Sequence, residues 1–406
     1  MNGKEFKTQR LGNGLMLLGE LDTAVKSASL GFFVRTGARD ETGKESGVSH
    51  FLEHMMFKGT EKRSSMDITY QLGNIGAQAN AFTTEENTVY YAAVLSEYVP
   101  AMQELLCDML RPALDHKEFD MEKKVILEEI ALYEDKPHFY LFEHALIDFF
   151  SGHPAGNSVL GTSASVAAIS RDEMKAYFDR RYAPGNMVLV ASGNYDWARF
   201  VADAEKYCGA WQDFDATRLV SPYVAKEMYR EYRKKDIKQV HVLFMTDAAA
   251  AQDEERYPLT ILSMILGDGS GSKIYWELVD PGLVESAGAE CDERDGTGLF
   301  VASASMEPEK IDEVSDILRR IISQPLNFDA ADLERAKTKL AAKIVLGGEL
   351  PMGRMMALGT EWQYRGKVTP LSEVAAKVRA VTRQDIETAL ERFPLSEWGE
   401  FRLLPA

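Results

Sequence analysis

Hydrophobic and polar residues follow strand-like patterns in some segments of the chain and helix-like patterns in others. The predicted strands, apolar and rich in aromatic and β-branched residues, are 28–36, 87–95 and 186–196. The predicted helices, with apolar positions at helical spacing, are 97–110, 117–134 and 171–181. Ser170 and Glu173 form a capping box that starts the last of these helices. Strands mixed with amphipathic helices predict an α+β fold in which helices cover a sheet.

The chain also matches itself at a distance of 212 residues. Residues 166–174 and 378–386 each run from an apolar segment into a Ser or Thr N-cap, an Arg, an acid and then an amphipathic helix. The strand at 28–36 has a counterpart at 239–246. We therefore predict two similarly folded α/β-sandwich domains, related by internal duplication. They occupy residues 1–215 and 216–406.

Length and composition narrow the class of protein. A chain of 406 residues exceeds what one hydrophobic core usually serves, which agrees with two domains. An apolar fraction of 45% and a charged fraction of 27% are typical of globular proteins. No run approaches the roughly 18 apolar residues of a membrane helix, and the first residues lack a signal-peptide pattern. We expect a cytoplasmic protein without a membrane span.

Charge and cysteine content exclude further classes. The net charge of −17 argues against nucleic acid as a partner, because phosphate binding needs a basic face. The same charge would attract basic peptides, or it simply reflects an acidic surface. Cys107, Cys208 and Cys291 are odd in number and far apart in sequence. They predict a reducing compartment, with neither a disulfide framework nor a thiolate metal site.

One segment carries the residues of a metal site. His50, Glu53 and His54 have the i, i+3, i+4 spacing that places side chains on one face of a helix. Two imidazoles so placed can bind one zinc ion, with the carboxylate close to a metal-bound water. The alternative is the end of a surface helix, but the apolar neighbours of this segment would make an uncompensated glutamate costly. The region near residue 262, which matches this segment in the second half, contains no His or Glu.

A catalytic zinc also needs a third protein ligand. Glu122 and Glu129 are seven residues apart on a predicted helix and so share a face. Val125 and Leu132 extend this line, which predicts that the face points inward. Glu128 can point to solvent.

Several motifs resemble one metallopeptidase family. They are GVSHFLEHMMFKGT, NAFTTEENTVYY, VILEEIALYEDKP, HPAGNSVLGT and Y-x-PGNMVL-x-x-SGN-x-D, in this order over about residues 8–200. The family is the pitrilysin/insulinase family of inverzincins. The likeness is strongest to its short bacterial members and to the β-subunit of the mitochondrial processing peptidase.

The resemblance implies a zinc-dependent endopeptidase that cleaves short or unfolded peptides, with one zinc per chain. It implies that His50, His54 and Glu129 bind zinc. It also implies that Glu53 is the general base acting on the water and that Glu122 is a catalytic-site carboxylate that supports the ligands. A non-catalytic assembly subunit of the same superfamily is the alternative, and a hydrolase acting on other substrates is a third reading.

Residues 80–83 begin a predicted edge strand. An extended peptide can add to such an edge through main-chain hydrogen bonds, and the alternative is an ordinary edge strand with no ligand. The resemblance favours peptide binding, with Asn80, Ala81 and Phe82 as the substrate-binding residues.

The second half departs from the family pattern. Many members carry an Arg and a Tyr that hold the substrate carbonyl, but Val279 and Glu285 stand near those positions here. A glycine-rich loop lies nearby at 267–272. We therefore expect a dimer. The favoured interpretation is a heterodimer in which a related chain supplies the Arg/Tyr pair. The alternative is a homodimer or a monomer with a substitute for the pair.

Overall fold

The computed structural model describes residues 4–406, and this part of the chain divides into two compact units. The first unit contains the chain up to Ala131 together with Asn157–Leu219 and Leu346–Val368. The second unit contains Leu132–Gly156, Val220–Val345 and Thr369–Ala406. The chain therefore changes unit after Ala131, Gly156, Leu219, Val345 and Val368. Each unit also includes one segment from the other half of the sequence.

The first unit is built on a six-stranded sheet with the order β1-β2-β6-β3-β5-β4. Its strands are β1 (Lys4–Arg10), β2 (Met16–Asp22), β3 (Ser27–Val34), β4 (Gln78–Thr83), β5 (Thr88–Leu95) and β6 (Met187–Gly193). Strands β2 and β6 pair in parallel, and the other neighbours are antiparallel. The strand predictions at 28–36, 87–95 and 186–196 are confirmed as β3, β5 and β6, with each end within three residues of the prediction.

Helices cover both faces of this sheet. The helices that lie wholly or mainly in the first unit are α1 (Val48–Met55), α2 (Ser65–Asn74), α3 (Val99–Met109), α4 (His116–Glu134), α6 (Ser163–Ala168), α7 (Arg171–Arg181), α8 (Trp197–Cys208) and α12 (Pro351–Arg365). Helix α12, from the second half of the sequence, packs on β3 and β6. It approaches closely because it has Gly359 at the contact, where an added Cβ would lie 2.4 Å from the Phe33 ring. A buried ion pair between Arg354 and Glu20 joins α12 to β2.

The second unit is built on a five-stranded sheet with the order β7-β11-β8-β10-β9. Its strands are β7 (Met228–Lys234), β8 (Val240–Ala248), β9 (Ser286–Arg294), β10 (Thr297–Met306) and β11 (Gly399–Pro405). Strands β7 and β11 pair in parallel, and the other neighbours are antiparallel. The predicted strand at 239–246 is confirmed as β8.

Two apolar layers enclose the second sheet. Its helices are α5 (Pro137–Phe149), α9 (Arg256–Gly267), α10 (Ile311–Ser323), α11 (Ala330–Glu349), α13 (Leu371–Ala380) and α14 (Arg383–Arg392). Helix α5, from the first half of the sequence, covers one face, where Leu146 and Phe149 join Leu243 and Phe401 in one core cluster. The other face packs against the remaining helices. Within residues 4–406 no helix is both long enough and apolar enough to span a membrane.

The strand orders demonstrate the internal duplication. Strands β2-β6-β3-β5-β4 of the first sheet correspond to β7-β11-β8-β10-β9 of the second, with the parallel pair at the same place. The sequence repeat also has the same structure in both units, because Ser170 caps α7 and Thr382 caps α14, each through a capping box. The predicted α+β fold of two duplicated sandwiches is thus confirmed.

Candidate metal centre

Helix α1 carries the HxxEH residues, and its first turn is held from outside the helix. Gly47 precedes it with a φ of 91° and offers no side-chain cap. The carboxylate of Glu41 takes that role, since its two oxygens accept the backbone N–H groups of Gly47 and Ser49, each at 2.7 Å. Glycine is required at position 47, because an added Cβ would lie 2.6 Å from the carbonyl oxygen of Leu160. This contact fixes where α1 begins.

Three side chains converge between α1 and α4. The rings of His50 and His54 lie 4.7 Å apart between centroids. The Oε2 atom of Glu129 on α4 is 3.9 Å from Nε2 of His50 and 3.6 Å from Nε2 of His54. Within residues 4–406 this is the one group of three or more His, Cys, Asp or Glu side chains close enough to hold a metal ion.

The donor set fits zinc. Two imidazole nitrogens and a carboxylate oxygen are common catalytic zinc ligands, and bonds of about 2.0–2.1 Å in tetrahedral geometry place such atoms roughly 3.4 Å apart. The two distances to Glu129, 3.6 and 3.9 Å, are close to this value. Burial, with a smaller contribution from His54, lowers the pKa of His50 to about 3. His50 is therefore neutral at pH 7, as a metal ligand must be.

Glu122 lies behind His54. Its Oε1 atom is 2.8 Å from Nδ1 of His54, and its Oε2 atom is 2.6 Å from Nζ of Lys58. Burial acts to raise the pKa of Glu122, but the hydrogen bonds from His54 and Lys58 outweigh it and hold the pKa below its usual range. Glu122 is thus a carboxylate that accepts a hydrogen bond from Nδ1–H of His54, and Nε2 of His54 is then the nitrogen that faces Glu129.

One prediction about α4 is wrong. Val125 and Leu132 do not extend a buried face, because their exposed fractions are 47% and 56%. Each helical residue turns about 100°, so Val125 lies about 60° to one side of Glu122 and Ile126 about 40° to the other. Ile126 is on the buried side. Glu128 is exposed, as expected.

Glu53 is nearly buried beside the two histidines. The Oγ1 atom of Thr83, the last residue of β4, donates a hydrogen bond of 2.7 Å to its Oε2. Burial raises the pKa of Glu53, and the charge of Glu129 adds to this, whereas the Thr83 hydrogen bond and the charge of His54 act in the opposite direction. A raised pKa suits a general base, which works best with a pKa near the operating pH.

Thr83 and Lys58 were not assigned roles from the sequence. Strand alternation places Ala81 and Thr83 on one face of β4, but nothing in the sequence shows that this face meets Glu53. Lys58 lies beyond the end of α1 at Met55, so helical spacing from the motif does not place it beside Glu122.

Comparison with known proteins identifies the family. The profile of the insulinase family, peptidase family M16, matches residues 18–163, and that of the peptidase M16 inactive domain matches residues 168–340. A Streptomyces coelicolor protein named as an uncharacterized zinc protease is 32% identical over 391 residues, which are 93% of this chain and 84% of that protein. The chain belongs to peptidase family M16.

Other M16 relatives agree with this assignment. A Mycobacterium tuberculosis protein, also named as an uncharacterized zinc protease, is 31% identical over 97% of this chain and 92% of its own length. The fold matches the crystal structure of a protease from Helicobacter pylori with a TM-score of 0.90 and 19% identity, covering 99% of this chain and 100% of that one. It also matches a putative M16-like peptidase from Alicyclobacillus acidocaldarius with a TM-score of 0.85 and 23% identity, covering 100% and 99%. The two solved structures support the fold, and the names of the sequence relatives support a zinc-dependent metallopeptidase.

The residues predicted to bind substrate in this M16 chain lie on an edge strand. Strand β4 pairs with β5 on one side and ends the sheet on the other. It also packs against α1. Asn80 and Phe82 project from the exposed face of β4, and Ala81 is half-buried on the other. The strand therefore presents a main-chain edge next to the helix that carries His50 and His54.

The predicted positions of the Arg/Tyr pair lie in the second unit. Val279 ends a π-helical turn, Tyr275–Val279. Glu285 precedes β9 and accepts a hydrogen bond from Nε2 of Gln239. Neither side chain offers the cation or the phenol that the family pattern would place there.

Proposed function

We propose that this M16 chain is a zinc endopeptidase that hydrolyses peptide bonds in short or unfolded peptides, with one zinc per chain. His50, His54 and Glu129 would hold the metal, and Glu53 would act as the general base. The observation that carries the proposal is the convergence of three possible ligand atoms within 4.8 Å of one another, with Oε2 of Glu129 at 3.9 Å from His50 and 3.6 Å from His54. The nearly buried carboxylate of Glu53 lies one turn from His50.

The residues of the chain divide the chemistry between them. When bound, zinc would polarise the scissile carbonyl and lower the pKa of a water molecule. Glu53 takes a proton from the attacking water and delivers it to the leaving amine. Thr83 orients the carboxylate of Glu53, and Glu122 orients His54 through Nδ1. The free edge of β4 binds the substrate main chain through Asn80, Ala81 and Phe82, with Asn80 and Ala81 beside the scissile bond.

The Glu53→Gln variant tests the role of the base. It keeps the shape of the side chain and removes its basicity, so we expect loss of peptide hydrolysis while zinc content stays near one per chain. Metal analysis and a fluorogenic peptide library measure the two results. Glu128→Gln is the matched control, because Glu128 is an exposed glutamate on the adjacent helix, and it should leave both unchanged. Hydrolysis that survives in Glu53→Gln would remove Glu53 from the mechanism.

Val279 and Glu285 favour a partner chain. We propose a heterodimer in which a related chain without metal ligands supplies the Arg/Tyr pair. Purification of this chain from its native organism should recover such a partner, and peptidase activity should rise when the two are mixed. Full activity of this chain purified alone would contradict the heterodimer.

The same two residues also raise a second candidate, a non-catalytic assembly subunit. This candidate predicts that the chain neither binds zinc at pH 7 nor cleaves peptides, alone or with a partner. Zinc binding with hydrolysis that depends on Glu53 excludes it.

A further inference from the structure

Two cysteines that are far apart in sequence meet inside the first unit. The Sγ atoms of Cys107 on α3 and Cys208 on α8 are 3.3 Å apart, although 101 residues separate them along the chain. Both side chains are buried, and both are free thiols. The peptidase chemistry uses neither of them.

A cavity of about 400 Å³ gives access to one member of the pair. Its wall includes Cys107 but not Cys208. The guanidinium of Arg111 also lines the cavity, where it stacks 3.6 Å from the ring centroid of Trp211. Of the two cysteines, Cys107 is therefore the one that borders the cavity, and its sulfur is in contact with that of Cys208.

The surroundings of Cys107 act on its reactivity in two directions. Burial, followed by the contact with Cys208, raises the pKa of the Cys107 thiol well above its usual range, and the charge of Arg111 opposes this. The thiolate, which is the reactive form, is therefore scarce at neutral pH. Oxidation at this site should be slow compared with that of an exposed low-pKa cysteine. Once one sulfur has been oxidised, however, its partner is already in place.

We propose that Cys107 and Cys208 are a modification site that forms an intramolecular disulfide when hydrogen peroxide enters the cavity. The thiolate sulfur of Cys107 attacks one peroxide oxygen, the O–O bond breaks, and the released hydroxide takes up a proton to give water and a sulfenic acid on Cys107. The Sγ atom of Cys208 then displaces the sulfenic oxygen, which leaves as a second water with the Cys208 proton. In sum, two thiols and one hydrogen peroxide give one disulfide and two waters.

The geometry allows this bond with a small shift. A disulfide needs about 2.05 Å between sulfurs, so the two Sγ atoms must approach by roughly 1.3 Å. Cys208 is the last residue of α8, and Cys107 is two residues from the end of α3. The bond would close a long loop, which stabilises the folded state mainly by restricting the unfolded chain. We expect a rise of about 5 °C in the unfolding midpoint.

Thiol counting on the full chain tests the site. Treatment with millimolar hydrogen peroxide should lower the free thiols from three to one per chain, and dithiothreitol should restore all three. Peptide mapping should find the Cys107–Cys208 linkage and leave Cys291 as a thiol. Three unchanged thiols, over-oxidised Cys107 without a linkage, or disulfides only between chains would each overturn the proposal.

The Cys208→Ser variant distinguishes disulfide formation through a sulfenic acid on Cys107 from separate oxidation of the two cysteines. In Cys208→Ser the sulfenic acid on Cys107 has no partner, so dimedone should label Cys107 in this variant and not in the wild type. Cys291→Ser is the control and should still form the linkage. If Cys208→Ser fails to fold, the peptide map of the wild type still decides. None of these measurements depends on peptidase activity.

Discussion

Oε1 of Glu122 lies 2.8 Å from Nδ1 of His54, while Nε2 of the same ring faces Glu129 at 3.6 Å. The two carboxylates thus hold opposite nitrogens of one imidazole. We therefore expect Glu122 to influence metal affinity through His54, without contacting the metal itself.

Glu122→Gln should weaken zinc binding by about 10–100-fold, the usual effect of losing a carboxylate that supports a ligating histidine. Competition with a chelator of known affinity measures the change, with Glu128→Gln as the control. An unchanged affinity would show that Glu122 only balances the charge of Lys58.

The loss in Glu122→Gln should also depend on pH. Burial acts to lower the pKa of His54, but the Glu122 hydrogen bond and the charges of Glu53 and Glu129 raise it above its usual value. Zinc must displace the proton on His54, so wild-type affinity falls as the pH falls through this raised pKa. Without Glu122 the pKa of His54 drops and this competition weakens. The variant should therefore lose most affinity at alkaline pH and least at acidic pH, and a uniform loss would contradict this.

Thr83→Val should impair catalysis without removing metal. The hydrogen bond from Thr83 acts to lower the pKa of Glu53, so its loss raises this pKa further. We expect the acid limb of the pH profile of kcat/KM to move to higher pH, and the rate at pH 7 to fall by about 10-fold. Thr83→Ser keeps the hydroxyl and should restore the wild-type profile. Equal profiles for the Val and Ser variants would mean that Thr83 acts by packing alone.

Glu41→Gln should change how stability depends on pH. Burial raises the pKa of Glu41 to about 8, against the lowering effect of the Ser49 and Gly47 hydrogen bonds. The folded state therefore holds this proton more tightly than the unfolded chain does. The stabilising contribution of protonated Glu41 is complete below about pH 4.5 and is lost as the pH rises towards 8. Urea unfolding of the metal-free protein measures the free energy of unfolding at pH 5 and at pH 8. This free energy should decrease less between the two pH values in Glu41→Gln than in the wild type. Equal decreases in the two proteins would contradict the raised pKa of Glu41.

Gly359→Ala should destabilise the first unit by about 1–3 kcal/mol, because the new methyl group would overlap the Phe33 ring. Gly347→Ala is the matched control, since an added Cβ at this helical position meets nothing within 4 Å. It should be neutral or stabilising. The free energy of unfolding from urea titrations measures both. A neutral Gly359→Ala would show that α12 can move away from the sheet.

The sequence predicted those parts of the site that depend on local geometry. His50, Glu53 and His54 lie within one helix, so helical spacing alone brings them together. The predicted choice of Glu129 and Glu122 agrees with their convergence on the histidines, yet the same reasoning misplaced Val125 and Leu132, because a seven-residue repeat does not tell which side of the repeat is buried.

The remaining features depend on contacts between distant segments. The Thr83–Glu53 and Cys107–Cys208 contacts join segments that are 30 and 101 residues apart. Similarly, the amphipathic pattern of α12 predicts that this helix packs on a sheet. The pattern does not indicate which of the two duplicated sheets that is.

The placement of α12 also has a consequence for how the first unit forms while the chain is being synthesised. The metal-site residues all precede residue 131. One face of the neighbouring sheet, however, stays uncovered until α12, which ends at Arg365, has left the ribosome. A growing chain that stops early thus carries the whole catalytic motif on an incomplete core. We therefore expect the metal-site residues to reach a stable arrangement only after α12 has been synthesised and has packed on the sheet.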